Sequence, residues 1–190
     1  MADSDDTPEW VRGDSRMVTP GKRALTAEFV RSILVYEPDT GLLRWKVHRP
    51  KSPRYPGDIA GCVTEPRGEV TVGIGSPPGN LYKATHIIWL IVKGEWPEHQ
   101  IDHEDTNASN NRWTNLRPAT HTQNQYNRTK LKNNTSGFKG VSLHRPSGKW
   151  FAMIRVDGAQ NFLGAFDTAE EAGEAYRQAA LKWHKEFARM

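Results

Sequence analysis

The sequence predicts an α+β fold arranged in two modules, and three observations carry that reading. Helical and strand patterns alternate between Leu25 and Arg128. The stretch from Lys130 to Ser136 has almost no apolar residue and reads as a linker. Residues 137–190 then carry a complete pattern of their own, three short strands followed by one helix. At 190 residues the chain has room for one large domain or two small ones. An apolar fraction of 36% is low for a single globule, whereas small domains bury proportionately less surface.

The elements follow in order. Residues 1–24 are polar and aperiodic and are expected to form a disordered tail. Leu25, Phe29, Ile33 and Leu34 mark a short amphipathic helix with Thr26 as its N-cap. Tyr36–Val47 reads as a hairpin turning at Pro38-Asp39-Thr40-Gly41. Strands are expected at Gly57–Val63 and Glu69–Ile74, then a largely buried helix over Lys83–Lys93 that stops at Gly94. Ile101–Glu104 reads as a strand, Asp105–Arg112 as an Asn-rich loop and Trp113–Arg117 as the return strand. Thr120 stands three residues before Gln123, a capping-box spacing, so a helix carrying Asn124 and Asn127 should start there.

In the second module the strands fit Phe138–His144, Lys149–Val156 and Asn161–Phe166. The helix runs from an N-cap at Thr168 to about Phe187, and its alanine-rich face can lie close on a sheet. The predicted architecture is thus a ββα unit at 101–128 within a domain spanning 25–128, a basic linker at 129–136, and at 137–190 a three-stranded antiparallel sheet packed on one α-helix.

Net charge is +4, and this understates the basic character, because Asp3, Asp5, Asp6 and Glu9 crowd the first ten residues. From Arg128 to Arg155 the charges are Arg128, Lys130, Lys132, Lys139, Arg145, Lys149 and Arg155, with no acid between them. Such a run is either a solvated surface or a phosphate-binding face. Cys62, the only cysteine, rules out an intramolecular disulfide framework and reads as a small buried apolar residue. No apolar run reaches membrane-span length and no secretory signal is recognised, so no membrane partner and a cytoplasmic location are expected.

Chemistry concentrates at Ile101-Asp102-His103-Glu104. A hairpin packed on a helix would gather Asp102, His103, Asn115 and Asn124. Phosphodiester hydrolysis needs a base for water, a task suited to neutral imidazole. It also needs positive charge at the phosphate and at the departing oxygen, which a hard cation with oxygen ligands supplies. Neighbouring strand residues point to opposite faces, so Asp102 and His103 can serve one site only at a bend or strand end.

Residues 82–128 resemble the HNH (ββα-metal) endonucleases of the homing type found in phages and mobile introns. The matching words are Thr85-His86-Ile87-Ile88-Trp89, Gly94-Glu95-Trp96-Pro97, Ile101-Asp102-His103, Asn110-Asn111-Arg112, Asn115-Leu116-Arg117, Gln123-Asn124 and Asn127-Arg128. The upstream segment from Tyr36 to Trp45 also resembles that subgroup. The resemblance implies His103 as the general base and Asn115 as the residue that orients it. It implies Asp102 and Asn124 as ligands of one divalent metal, Mg²⁺ with Mn²⁺ as a substitute. His86 is either a packed structural residue or a phosphate contact. The chain departs from the family at Thr106, where Gly is common, at Asn110, where Asp is common, and at Ile87, where Arg is frequent. These changes bear on the loop conformation.

Residues 137–188 resemble the plant ethylene-response-factor (Apetala-like) DNA-binding domain. The words are Gly140-Val141, Gly148-Lys149-Trp150, Ile154-Arg155, Leu163-Gly164-Ala165-Phe166 and Thr168-Ala169-Glu170-Glu171-Ala172 with Ala175-Tyr176. Strand alternation puts Trp150, Ala152, Ile154 and Val156 against the helix and Phe151, Met153 and Arg155 outward. Trp150, Phe166, Tyr176 and Trp183 read as core. The resemblance places Lys139, Ser142, His144, Met153, Arg155, Gln160 and Phe162 on the DNA-facing side. Arg145 and Lys149 suit phosphate contact, and Arg128, Lys130 and Lys132 of the basic run join them.

The expected function is metal-dependent cleavage of double-stranded DNA by a chain acting as a monomer, with a dimer as the alternative. The alternatives are a DNA-binding regulator with an inactive nuclease domain, or an RNA-binding protein.

Overall fold

The computed structural model describes residues 25–48, 54–75, 80–128, 130 and 133–189. The expected tail and Lys132 lie outside the described residues. The chain divides into two compact units. One comprises the described residues up to His103 with Asn107–Arg117, the other Glu104–Thr106 with the residues from Pro118 onward. The expected domain boundary at 128/129 does not coincide with this division.

In the first unit, α1 (Ala27–Ile33) is capped by Thr26, whose hydroxyl accepts from the Phe29 amide, and buries Ala27, Val30 and Ile33. It runs directly into β1 (Leu34–Glu37), which pairs antiparallel with β2 (Leu42–Trp45) across the expected turn. β3 (Cys62–Thr64), β4 (Glu69–Ile74) and β5 (Asn80–Lys83) form a three-stranded antiparallel sheet. α2 (Ala84–Lys93) follows and ends at Gly94, whose φ of 84° is the left-handed stop the sequence predicts. Val30, Ile33, Leu34, Val72, Ile87, Ile88 and Leu90 are essentially solvent-free and anchor this core. Each such side chain contributes about 1.5–3 kcal/mol of burial.

In the second unit, β8 (Val141–His144), β9 (Lys149–Val156) and β10 (Ala159–Phe166) form an antiparallel sheet with β9 in the middle. α4 (Ala169–Trp183) starts with a full capping box between Thr168 and Glu171. Ala152 and Ile154 of β9 are buried, as are Ala172, Tyr176, Ala179 and Ala180 of α4, which is the predicted alternation. A side chain at Gly140 would run into the Tyr176 ring and the Met153 carbonyl, and φ there is 71°, so only glycine lets β8 approach the helix.

Several expectations are corrected. Cys62 is exposed on β3, a strand whose three residues all face solvent, and is not buried. The strand expected at Gly57–Val63 shrinks to Cys62–Thr64, because Pro56-Gly57 forms a turn and the residues after it meet β2 at an isolated bridge between Ile59 and Arg44. β5 was not anticipated. Trp113–Asn115 is a 3₁₀ turn, so the return strand begins at Leu116. The last helix stops at Trp183, and Lys185, at φ 52°, opens a short 3₁₀ turn to Phe187. Trp183 is exposed rather than core.

Candidate active site and nucleic-acid face

β6 (Gln100–His103) and β7 (Leu116–Ala119) form the two-stranded hairpin that carries the motif. Asp102 points inward and is 5% exposed, while His103 is half-buried and ends the strand. The strand end that a shared site demands is therefore present. Thr106, at the position where the family favours Gly, adopts φ 67°. The loop thus keeps a left-handed residue despite the β-branched side chain, at a cost of about 1–3 kcal/mol.

The loop polar groups are tied to one another. The His103 ring meets Asn111 through Nε2 and Oδ1 at 2.9 Å. Asn111 is 3% exposed, and its backbone carbonyl accepts a 2.7 Å hydrogen bond from the Tyr36 hydroxyl. Burial, the main cause, raises the Tyr36 pKa to about 12, so the phenol remains a donor. The Asn115 amide donates to the Asn110 carbonyl at 2.8 Å, which braces the loop from its other end. The Asn115 amide thus braces the loop, and Asn111 meets the His103 ring. The Arg112 guanidinium reaches the Asp39 carbonyl at 2.6 Å.

Asp102 Oδ2 accepts from both Nε and Nη2 of Arg117 at 3.0 Å. This ion pair is nearly dry, with the Arg117 side chain 16% exposed. Arg117 therefore fixes the carboxylate at one oxygen. His86 sits half-buried on α2, where burial, and then Lys83, lower its pKa and favour the neutral ring. This fits the structural reading of that residue.

Asn124 lies on α3 (His121–Tyr126) in the second unit, half-buried. The Thr120–Gln123 capping box starts this helix as the spacing predicts. Within the unit, the Tyr126 ring stacks on His184 at 3.7 Å and its hydroxyl accepts from the Asp157 amide at 2.8 Å. The described part of the expected linker is well tied. Asn134 Oδ1 accepts from the Gly137 amide at 2.7 Å, and Ser136 donates to the Val141 carbonyl at 2.9 Å.

The expected DNA-contacting residues divide into two groups. Arg128, Arg145 and Arg155 are exposed. Lys130 is exposed and donates to the Gly137 carbonyl at 2.8 Å, and Lys149 pairs with Asp167 at 3.0 Å. Lys139 is half-buried, and its ammonium donates to the Tyr126 carbonyl. Burial, followed by Arg189, lowers its pKa to about 8. A groove of about 430 Å³ brings Lys130, Lys139 and Gln160 together with Ser142 and Met153.

On the outer face of the sheet, strand register pairs Ser142 with Phe151, Phe162 with Met153 and Gln160 with Arg155. The His144 ring stacks on Phe151 at 4.3 Å, and Phe151 meets Phe162 edge-on at 5.2 Å. Phe162 is 58% exposed. This face is therefore an aromatic strip edged by Arg155 and Gln160.

Asn111, Tyr36 and Arg117 were not assigned roles from sequence. Asn111 looks like any turn asparagine, and its contact with Tyr36 joins residues 75 positions apart.

The HNH endonuclease family model matches residues 82–126. Protein 3.8 of Escherichia phage T7 is 35% identical over 113 residues, which is 57% of this chain and 93% of that protein. Ethylene-responsive transcription factor ERF084 of Arabidopsis thaliana is 49% identical over 55 residues, 28% of this chain and 21% of that protein. The chain thus spans nearly all of the phage relative and about a fifth of the plant one. A solved structure titled for DNA binding and cleavage by the HNH homing endonuclease I-HmuI overlaps 80% of this chain and 86% of that one, at a TM-score of 0.38 and 18% identity. The sequence words, the family match over residues 82–126 and the phage and plant relatives lead to one assignment: the chain belongs to the HNH endonuclease family and carries an ethylene-response-factor-like domain after its nuclease motif.

Proposed function

We propose that this nuclease is a divalent-metal-dependent endonuclease of double-stranded DNA, in which His103 is the general base and the second module binds the duplex. The observation that carries the reading is the 2.9 Å contact between His103 Nε2 and the side-chain oxygen of Asn111. A carbonyl oxygen accepts, so the ring proton sits on Nε2 and Nδ1 is the basic nitrogen. Nδ1 then takes the proton from an attacking water, whose oxygen bonds to phosphorus. The P–O3′ bond breaks and the departing O3′ takes a proton from solvent, leaving 5′-phosphate and 3′-hydroxyl ends.

The ligand roles that the resemblance implies for Asp102 and Asn124 belong to this proposal. One carboxylate and one amide oxygen suit a hard cation such as Mg²⁺, which takes few protein ligands and keeps several waters. A bound divalent cation supplies charge neutralisation at the phosphate and at the departing oxygen. Arg117 contributes by holding the Asp102 carboxylate in one orientation.

For the second module, the exposed Arg155, Arg145 and Arg128 supply charge for phosphates or guanine edges. Lys139, already turned onto the Tyr126 carbonyl, is the weaker contributor.

Plasmid nicking tests the proposal. Cleavage is expected with Mg²⁺ or Mn²⁺ and none with EDTA. His103→Ala should abolish cleavage while leaving gel-shift binding intact. Arg155→Ala should weaken binding and lower its salt slope by about one. Nicking in EDTA, or full activity in His103→Ala, would sink the mechanism. Unchanged binding when Arg145→Ala and Arg155→Ala are combined would sink the role of the second module.

A further inference from the structure

We infer that Tyr36 and Asn111 are positioning residues for His103, and that the β1–β2 hairpin is the template on which the base-bearing loop is set. The inference rests on the reading of His103 as general base and concerns what holds that ring. Tyr36 lies far upstream of the matched nuclease segment at 82–126.

Three consecutive loop residues are bound to the hairpin. The Tyr36 hydroxyl donates to the Asn111 carbonyl at 2.7 Å, Arg112 Nε donates to the Asp39 carbonyl at 2.6 Å, and the Trp113 amide donates to the Pro38 carbonyl at 3.4 Å. Gly41, at φ 77°, lets the two segments touch. A β-carbon there would stand 2.6 Å from the Arg112 nitrogen and from the Asn111 carbonyl carbon. The hairpin therefore fits against the loop backbone with no room for a side chain.

The consequence reaches the ring in two steps. Tyr36 fixes the Asn111 backbone, and Asn111, itself buried, presents Oδ1 to His103 Nε2. An imidazole held at one nitrogen has both its tautomer and its ring plane set before substrate arrives, and a general base needs both. Burial keeps the phenol protonated, so this support is constant across working pH.

The experiment uses the full chain with ¹⁵N-labelled histidine. The wild type is expected to give a resolved, slowly exchanging Nε2–H resonance for His103, identified by its absence in His103→Ala. Asn111→Leu should lose that resonance and lower kcat about 100-fold, with KM for plasmid unchanged. Tyr36→Phe removes one oxygen, and it should weaken the resonance and lower kcat about tenfold. Asn111→Asp keeps an acceptor oxygen and should retain the resonance, which separates loss of the contact from loss of the fold. An unchanged resonance in Asn111→Leu, or a Tyr36→Phe effect confined to KM, would overturn the inference. If His103→Ala nicks like wild type, the reading of His103 as base fails, and the resonance still decides whether Asn111 and Tyr36 hold the ring.

Discussion

Two ion pairs of the same chemical kind sit in the two halves of the molecule. In the motif hairpin, Asp102 and Arg117 meet through two 3.0 Å contacts with side chains 5% and 16% exposed. On the sheet of the second unit, Lys149 and Asp167 meet at the same 3.0 Å with side chains 47% and 80% exposed. Distance alone would rank them equal. Burial separates them: in the dry pair each charge depends on its partner, whereas water can replace either partner of the wet one. The contrast extends to the surroundings. Around His103 the asparagines and Tyr36 are locked into one arrangement, as suits chemistry needing fixed angles. The outer face of the sheet leaves Arg155 and Phe162 exposed, with no comparable set of fixed contacts around them among the described residues.

The largest expected effect tests that contrast directly. Arg117→Met removes the ionic partner of a buried carboxylate and should lower unfolding free energy by about 3 kcal/mol. Lys149→Met should cost no more than about 1 kcal/mol. Urea unfolding followed by circular dichroism measures both. Similar losses in the two variants would mean that burial does not distinguish the pairs.

A smaller effect is expected at the turn after His103. Thr106 holds φ 67° with a β-branched side chain, at a position where the family resemblance implies glycine. Thr106→Gly relieves the steric cost but gives the unfolded chain more freedom. A net gain of about 1 kcal/mol is expected, with nicking rate unchanged or higher. A loss of stability would show that the Thr106 side chain contributes more than its backbone costs.

Much of this arrangement was legible in the sequence, and the division between legible and illegible is physical. Features set by residues within a few positions of each other were readable. The Thr26 cap, the Thr120–Gln123 box, the Gly94 stop and the Lys149–Val156 strand all formed as read. Features set by partners distant in the chain were not. Asn111 became the ring's neighbour because a hairpin 75 residues away docks on its backbone, and an Asn-rich loop carries no local mark of that. Cys62 and Trp183 were read as buried from side-chain type, yet one lies on a solvent-facing strand and the other at the exposed end of α4. The family words pointed to Asp102, His103, Asn115 and Asn124 as candidates. They did not say which atoms would meet.

The smallest expected effect concerns Lys139, the cation that departs from the pattern of its own face. Its ammonium is turned onto the Tyr126 carbonyl, and burial together with Arg189 brings its pKa to about 8 from the ordinary 10.5. Between those values the unfolded chain holds a proton that the folded chain has released. Unfolding free energy should therefore rise with pH over that window, in the direction opposite to ordinary alkaline destabilisation. Because Lys139 is only half-buried, solvent screening should keep the gain below about 1 kcal/mol. Lys139→Met should flatten the slope between pH 8 and 10.5 and leave salt-dependent DNA binding close to wild type, whereas Arg155→Ala should change binding and leave the slope alone. If Lys139→Met instead weakens binding as much as Arg155→Ala, then this lysine leaves the Tyr126 carbonyl for phosphate when DNA arrives. The second unit would then share with the motif hairpin the use of a partly buried cation held by a fixed partner.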